Sequence, residues 1–177
     1  MRLLTSAASG VFFLVMTASH SALAGSASVA GLISMGGTVI ETACAIHPDH
    51  REQSVTLKSI SPDRLIRDGS SELHPFSIHL INCSPERQDK DNWLAFQITF
   101  EGQADGNHFA LQGESQGLAL EIQDDRGHIA APGIAMPVHP VPSGDKRLNY
   151  HLRLIGNQQL LQAGSHFALL KYKLDYY

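Results

Sequence analysis

Apolar and polar residues alternate with a period of two along most of this chain. Val29, Gly31, Ile33, Met35, Gly37 and Val39 form the first such run, with small or polar residues largely between them. Phe76, Ile78 and Leu80 form the next, followed by Leu94, Phe96, Ile98 and Phe100, and then by Leu118, Leu120 and Ile122. Leu148, Tyr150, Leu152 and Leu154 make another, and the chain closes on Ala168, Leu170, Tyr172, Leu174 and Tyr176. Successive side chains of an extended segment point to opposite faces, so each run predicts a half-buried strand. Turn-forming groups separate the runs: Ser61-Pro62-Asp63, Arg67-Asp68-Gly69, Asp105-Gly106-Asn107, Asp124-Asp125-Arg126-Gly127, Ser143-Gly144-Asp145 and Gly156-Asn157. No segment carries an apolar stripe at helical spacing; residues 62–66 predict one short turn of helix. Several strands joined by turns in a chain of this size predict an all-β sandwich in one domain.

Residues 1–24 stand outside this pattern and read as a secretory signal. Arg2 supplies the positive start, the stretch around 11–16 the apolar middle, and Ala22-Leu23-Ala24 the small residues that a signal peptidase requires. Cleavage is expected after Ala24, leaving residues 25–177 as one exported domain. No later stretch approaches the roughly 18 apolar residues that span a bilayer, so release as a soluble chain is expected.

Charge narrows the choice of partner. The chain holds 13 basic and 17 acidic residues, and loss of Arg2 makes it more acidic still. Nucleic acid or an anionic membrane would call for a concentrated basic patch, and none is visible. Cys44 and Cys83 are the two cysteines, both in the exported part. In an oxidising compartment an isolated pair reads as one disulfide worth about 3–4 kcal/mol; the alternative is two unpaired buried thiols.

Candidate chemistry is sparse. The Gly-x-Ser-x-Gly string at 113–117 matches a nucleophile elbow, but that motif needs a following helix and residues 118–122 alternate as a strand. A polar hairpin is the expected reading. His47-Pro48-Asp49-His50 places two imidazoles near one another, yet without a third nearby ligand it reads as a solvated loop rather than a metal site. His74, His79, His108, His128, His139, His151 and His166 share no register and read as strand-surface residues. Asp124 and Asp125 fall at a turn, where their carboxylates are expected to point apart into water rather than face each other across a cleft. No phosphate loop is present, since Gly36-Gly37 lies inside a β-pattern. These readings predict a chain that is not an enzyme and takes no cofactor, metal or small-molecule substrate.

The residues resemble those of the pilins assembled by the chaperone–usher pathway, the type 1 and P-pilus family. The segment from Gly37 through Val39 to Cys44 and Ile46 resembles the family's Gly-x-Val-Val-x-x-x-Cys-x-Val signature. The strand ending Asn82-Cys83 resembles its second-cysteine strand, and Tyr176 matches its penultimate tyrosine. Within the family, the second half is most similar to PapH-type minor subunits, which terminate and anchor P pili. The carriers are residues 117–122, 126–130, 135–137, 148–154 and 163–177. The first half departs from that type, because only residues 25–36 precede Gly37 after cleavage.

The resemblance implies an incomplete immunoglobulin-like β-sandwich, with residues 25–36 as an N-terminal extension and 37–177 as the pilin domain. A missing final strand would leave an apolar groove that a periplasmic chaperone first fills and another subunit's extension then occupies, an instance of β-augmentation. Val29, Gly31, Ile33 and Met35 are the expected donor residues. Ala168, Leu170, Tyr172, Leu174 and Tyr176 are expected to line the acceptor groove. The implied partners are the chaperone, an outer-membrane usher and other pilins, and the implied route runs through the periplasm to a fimbrium at the cell surface. An ordinary shaft or tip-adaptor pilin, or a secreted lectin-like binding domain with a closed sandwich, is the alternative. Residues 25–177 are expected to leave no room for the additional receptor domain of a tip adhesin.

Overall fold

The structure is a computed structural model that describes Ser34, Gly36 and residues 41–177. The expected signal and the donor residues Val29, Gly31, Ile33 and Met35 lie outside the described residues. The compact unit is Val39–Tyr177.

In chain order it contains β1 (Ala45–Ile46), a 3-10 turn (Pro48–His50), α1 (Pro62–Asp68), β2 (His74–Cys83), β3 (Ala95–Glu101), β4 (Ala104–Asp105) and β5 (His108–Ala110). These are followed by β6 (Gln112–Gly113), β7 (Leu118–Asp124), β8 (Ile129–Ala130), β9 (His139–Pro140), β10 (Gly144–Gly156), β11 (His166–Phe167) and β12 (Lys171–Tyr176). The larger sheet runs β1-β2-β10-β7-β5-β4, with β8 alongside β7. The smaller runs β12-β3-β9, and β6 pairs with β11 in a short ribbon. Every ladder is antiparallel.

The two sheets bury the residues that the alternation selects. Ile78 and Leu80 of β2, Phe96, Ile98 and Phe100 of β3, Phe109 of β5, Ile122 of β7 and Leu148 to Leu154 of β10 form one core. The architecture is an all-β sandwich. Cys44 and Cys83 are joined, with Cα atoms 4.1 Å apart, so the disulfide clamps the start of the first strand to the end of β2.

Four local expectations change. The short helical turn extends to seven residues because both ends are capped: Ser61 Oγ accepts from the Arg64 N–H, Pro62 sits at the first position, and left-handed Gly69 returns its N–H to Leu65 O. Leu94 is 78% exposed, outside β3, because Trp93 instead packs against the core at that end. β7 is buried on both faces, Glu121 included, and this carboxylate is held by Arg153 of β10 at 2.7 Å. Asp124 is buried rather than solvated. Its Oδ1 accepts from the Arg126 and His128 N–H groups, and its Oδ2 meets His128 Nδ1 at 2.8 Å, so it closes the turn after β7. Asp125 alone points outward, accepting from Asn149 Nδ2.

Candidate functional site: an unfinished sheet edge

β12 lies at the rim of the smaller sheet. It pairs with β3 in a ladder from Lys171↔Glu101 to Tyr176↔Phe96, and among the described residues no strand lies on its other side. The pairing continues to the last residue, where Tyr177 N–H donates to Ala95 O and Tyr177 O accepts from Leu94 N–H. Tyr172, Leu174 and Tyr176 face the core; Lys171 and Lys173 face outward. Ala168 and Leu170 keep the same alternation but precede the ladder, because the chain first pairs through β11 with β6. The inward residues of β12 are all half-buried, whereas Phe96, Ile98 and Phe100 directly opposite them are buried completely. A side chain on an edge is covered from its partner's side only.

A second wall faces this edge. The Tyr172 hydroxyl donates to His50 O, and Tyr176 packs against the core cluster that includes Cys44. Farther along, Ser59 to Pro62 and Leu161 to Gly164 line one cavity. Residues 44–62 and 161–176 thus follow one another in opposite directions, the gap between them being the candidate trough, and Leu57 and Ile60 pack against the core. Residues 52–60 make no backbone–backbone hydrogen bond among the described residues. Sequence pattern did not single out this wall. Val55 and Leu57 alternate for two positions only, between Glu52 and Lys58, too short a run to register as a strand. Burial raises the phenol pKa of both Tyr172 and Tyr176, keeping them as neutral hydroxyls.

The cavity, about 190 Å³, lies beyond the start of β12, at the end of the trough away from Tyr176. Ile60, Leu65, Leu118 and Leu161 give it apolar walls; Ser115 and His166 add polar atoms. Ser115 Oγ and His166 Nδ1 are not hydrogen-bonded to each other. The glycines of the Gly-x-Ser-x-Gly string have a packing explanation instead. Gly113 and Gly117 have φ of 122° and 79°, and a Cβ on either would sit 2.4 Å from Ser165 O or 2.7 Å from Leu160 O. The 160–166 backbone passes directly over both, and the strand expected after the string is β7.

A sandwich with a disulfide at its first strand, a C-terminal edge strand and an apolar trough beside it defines a pilin-type structural domain. No family model matches the chain. It is 31% identical over 151 residues to the PRS and PAP fimbrial minor pilin proteins of Escherichia coli, covering 82% of this chain and 77% of each relative. It is 28% identical to the major MR/P fimbria protein of Proteus mirabilis, over 92% of this chain and 95% of that one. Among solved structures, the P pilus rod subunit PapA superposes with a TM-score of 0.68 at 18% identity, over 77% of this chain and all of PapA. A subunit from a chaperone–usher pilus superposes at 0.66 and 19% identity, over 84% and 96%. The chain belongs to the fimbrial pilin family of the chaperone–usher type.

Proposed function

We propose that this chain is a minor structural subunit of a fimbrium, assembled by strand complementation rather than acting as a catalyst. The trough between 44–62 and β12 receives an extended strand, first from a periplasmic chaperone at the usher and then from a neighbouring pilin. The chain's own 29–35 segment fills the trough of another subunit, delivering it to a fimbrium at the cell surface. One observation carries this reading: a C-terminal strand that is fully paired on one side and whose apolar residues stay half-covered on the other. An added strand would supply hydrogen bonds to the free edge and cover Tyr172, Leu174 and Tyr176.

The likeness to minor pilins supports a PapH-type terminator, which donates a strand but accepts none. That role calls for a trough closed at its far end. The cavity of about 190 Å³ there favours the second reading, a shaft or adaptor subunit that accepts. The test offers the chaperone-bound subunit a peptide copying another pilin's extension. Release of the chaperone with peptide uptake establishes an acceptor, and refusal establishes a terminator. A chain that stays soluble and monomeric with no partner overturns strand complementation altogether.

A further inference from the structure

Four of the eight prolines of this chain fall between 132 and 142, in the segment that borders β3 on the side away from β12. Alternate backbone groups hold that segment to β3. The N–H groups of Gly133, Met136 and Val141 donate to Phe100, Ile98 and Leu94 O, and His139 pairs with Phe96. In an antiparallel ladder the groups between such positions point away from the partner strand. Pro140 and Pro142 each follow one of these inward residues, and Pro137 lies between Met136 and His139. Each proline removes a donor that would otherwise lie along the outer rim. The Ile134 N–H is also taken, because it donates back to Ala131 O. From Met136 to His139 the segment advances three residues while β3 advances two, from Ile98 to Phe96. That extra residue makes a bulge, which bends a rim away from a straight incoming strand.

The other rim of the same sheet has none of these defences. Tyr177 and Ala95 exchange both backbone hydrogen bonds, so Tyr172, Leu174 and Tyr176 turn their N–H and C=O groups to the open side of β12. No proline lies in 171–177. The larger sheet ends on β1 and β4, of two residues each, too short to template a strand. Among the described residues no strand covers the outer side of β9 either, and Ile134 and Val138 are exposed beside it. With its donors free, this rim would be an apolar template much like β12.

We propose that Pro137, Pro140 and Pro142 are specificity-determining residues of strand addition, closing the outer rim of the smaller sheet and confining addition on that sheet to β12. The subunit then takes one strand there, and a polymer built by strand addition stays unbranched. What occupies β12 rests on strand complementation as proposed above; the closure of the opposite rim rests on its own backbone geometry.

The test replaces all three prolines by Thr, which restores the donors and favours an extended rim, in the subunit bound to its chaperone, where β12 is covered. Sedimentation velocity over a concentration series is the readout. The parent complex should remain a single species, and the triple variant should rise toward about twice its mass as outer rims pair. Adding Val138→Lys should return it to a single species, because a charge on a rim opposes pairing. A triple variant that stays a single species at every concentration, or association that survives Val138→Lys, overturns the proposal. Should the triple variant fail to fold, Pro140→Thr alone decides by the same readout, since Pro140 is exposed. Association that grows with concentration then supports the closed rim, and its absence refutes it. A chain that proves soluble and monomeric without a chaperone removes strand complementation, and the same comparison on the lone chain still decides the rim.

Discussion

Two strands of this molecule have nearly the same sequence pattern and opposite fates. β10 carries Leu148, Tyr150, Leu152 and Leu154 at alternate positions; the C-terminal segment carries Leu170, Tyr172, Leu174 and Tyr176. β10 has β2 on one side and β7 on the other, and its Tyr150 is 2% exposed. β12 has β3 alone, and its Tyr172 is half-buried. Alternation specifies which face of a strand is apolar. How completely that face is covered depends on the number of neighbours, which topology decides.

The largest expected effect tests this contrast directly. Leu154→Ala, at a fully buried site on β10, should cost about 3–5 kcal/mol in urea unfolding. Leu174→Ala should cost about half as much in the subunit alone, because part of its surface is never removed from water. Adding a saturating extension peptide should widen the Leu174 effect and leave the Leu154 effect unchanged. Equal costs for the two variants without peptide would mean that β12 is no less covered than β10.

Next in size is the disulfide. Replacing Cys44 and Cys83 by Ala should lower stability by about 3–4 kcal/mol. The bridge ends where the 44–62 wall begins, so the loss should fall on the edge as well as the core. Peptide uptake should weaken together with the unfolding midpoint. An unchanged peptide affinity in the double Ala variant would place the wall's order elsewhere, in Leu57 and Ile60.

Gly117→Ala sharpens the comparison at the far end of the trough. Its φ of 79° and its 2.7 Å clearance from Leu160 O leave no place for a methyl group, and a cost of about 1–3 kcal/mol is expected. The shift should displace the 160–164 segment that lines the cavity, so peptide binding should fall further than stability alone predicts. A variant that melts and binds like the parent would free Gly117 from this role.

Sequence made the core legible because period-two runs name the buried residues of β2, β3 and β10 without any knowledge of pairing. It failed where burial comes from outside the strand. Glu121 and Asp124 are buried by Arg153 and His128, partners that no local pattern reveals. At the trough, the strong wall of Tyr172, Leu174 and Tyr176 could be read from alternation. The weak wall around Leu57 could not, because a segment without a paired neighbour carries little strand signal.

The smallest effect concerns acid, and it separates the same two regions. Burial alone would raise the Asp124 carboxyl, but hydrogen bonds from the His128 side chain and from the His128 and Arg126 backbone outweigh it and hold the group below its ordinary value of 3.8. A carboxyl depressed by folding stabilises the fold fully above that ordinary value and loses its contribution as pH falls through the lower folded value. The chain should therefore weaken below about pH 4, with Asp124→Asn flattening that limb of the urea midpoint. Asp124 pairs with Tyr150 at the end of β7, so the acid-sensitive amides should be those of the turn at 124–128 and the adjoining middle of β10 around Tyr150. On β12 the corresponding carboxylate, Asp175, is 44% exposed beside Lys173 and closes no turn. Amide exchange near pH 3 should open the central-sheet turn before the edge strand. Earlier opening of 171–176 would make edge exposure, rather than the buried carboxylate, the source of acid weakness.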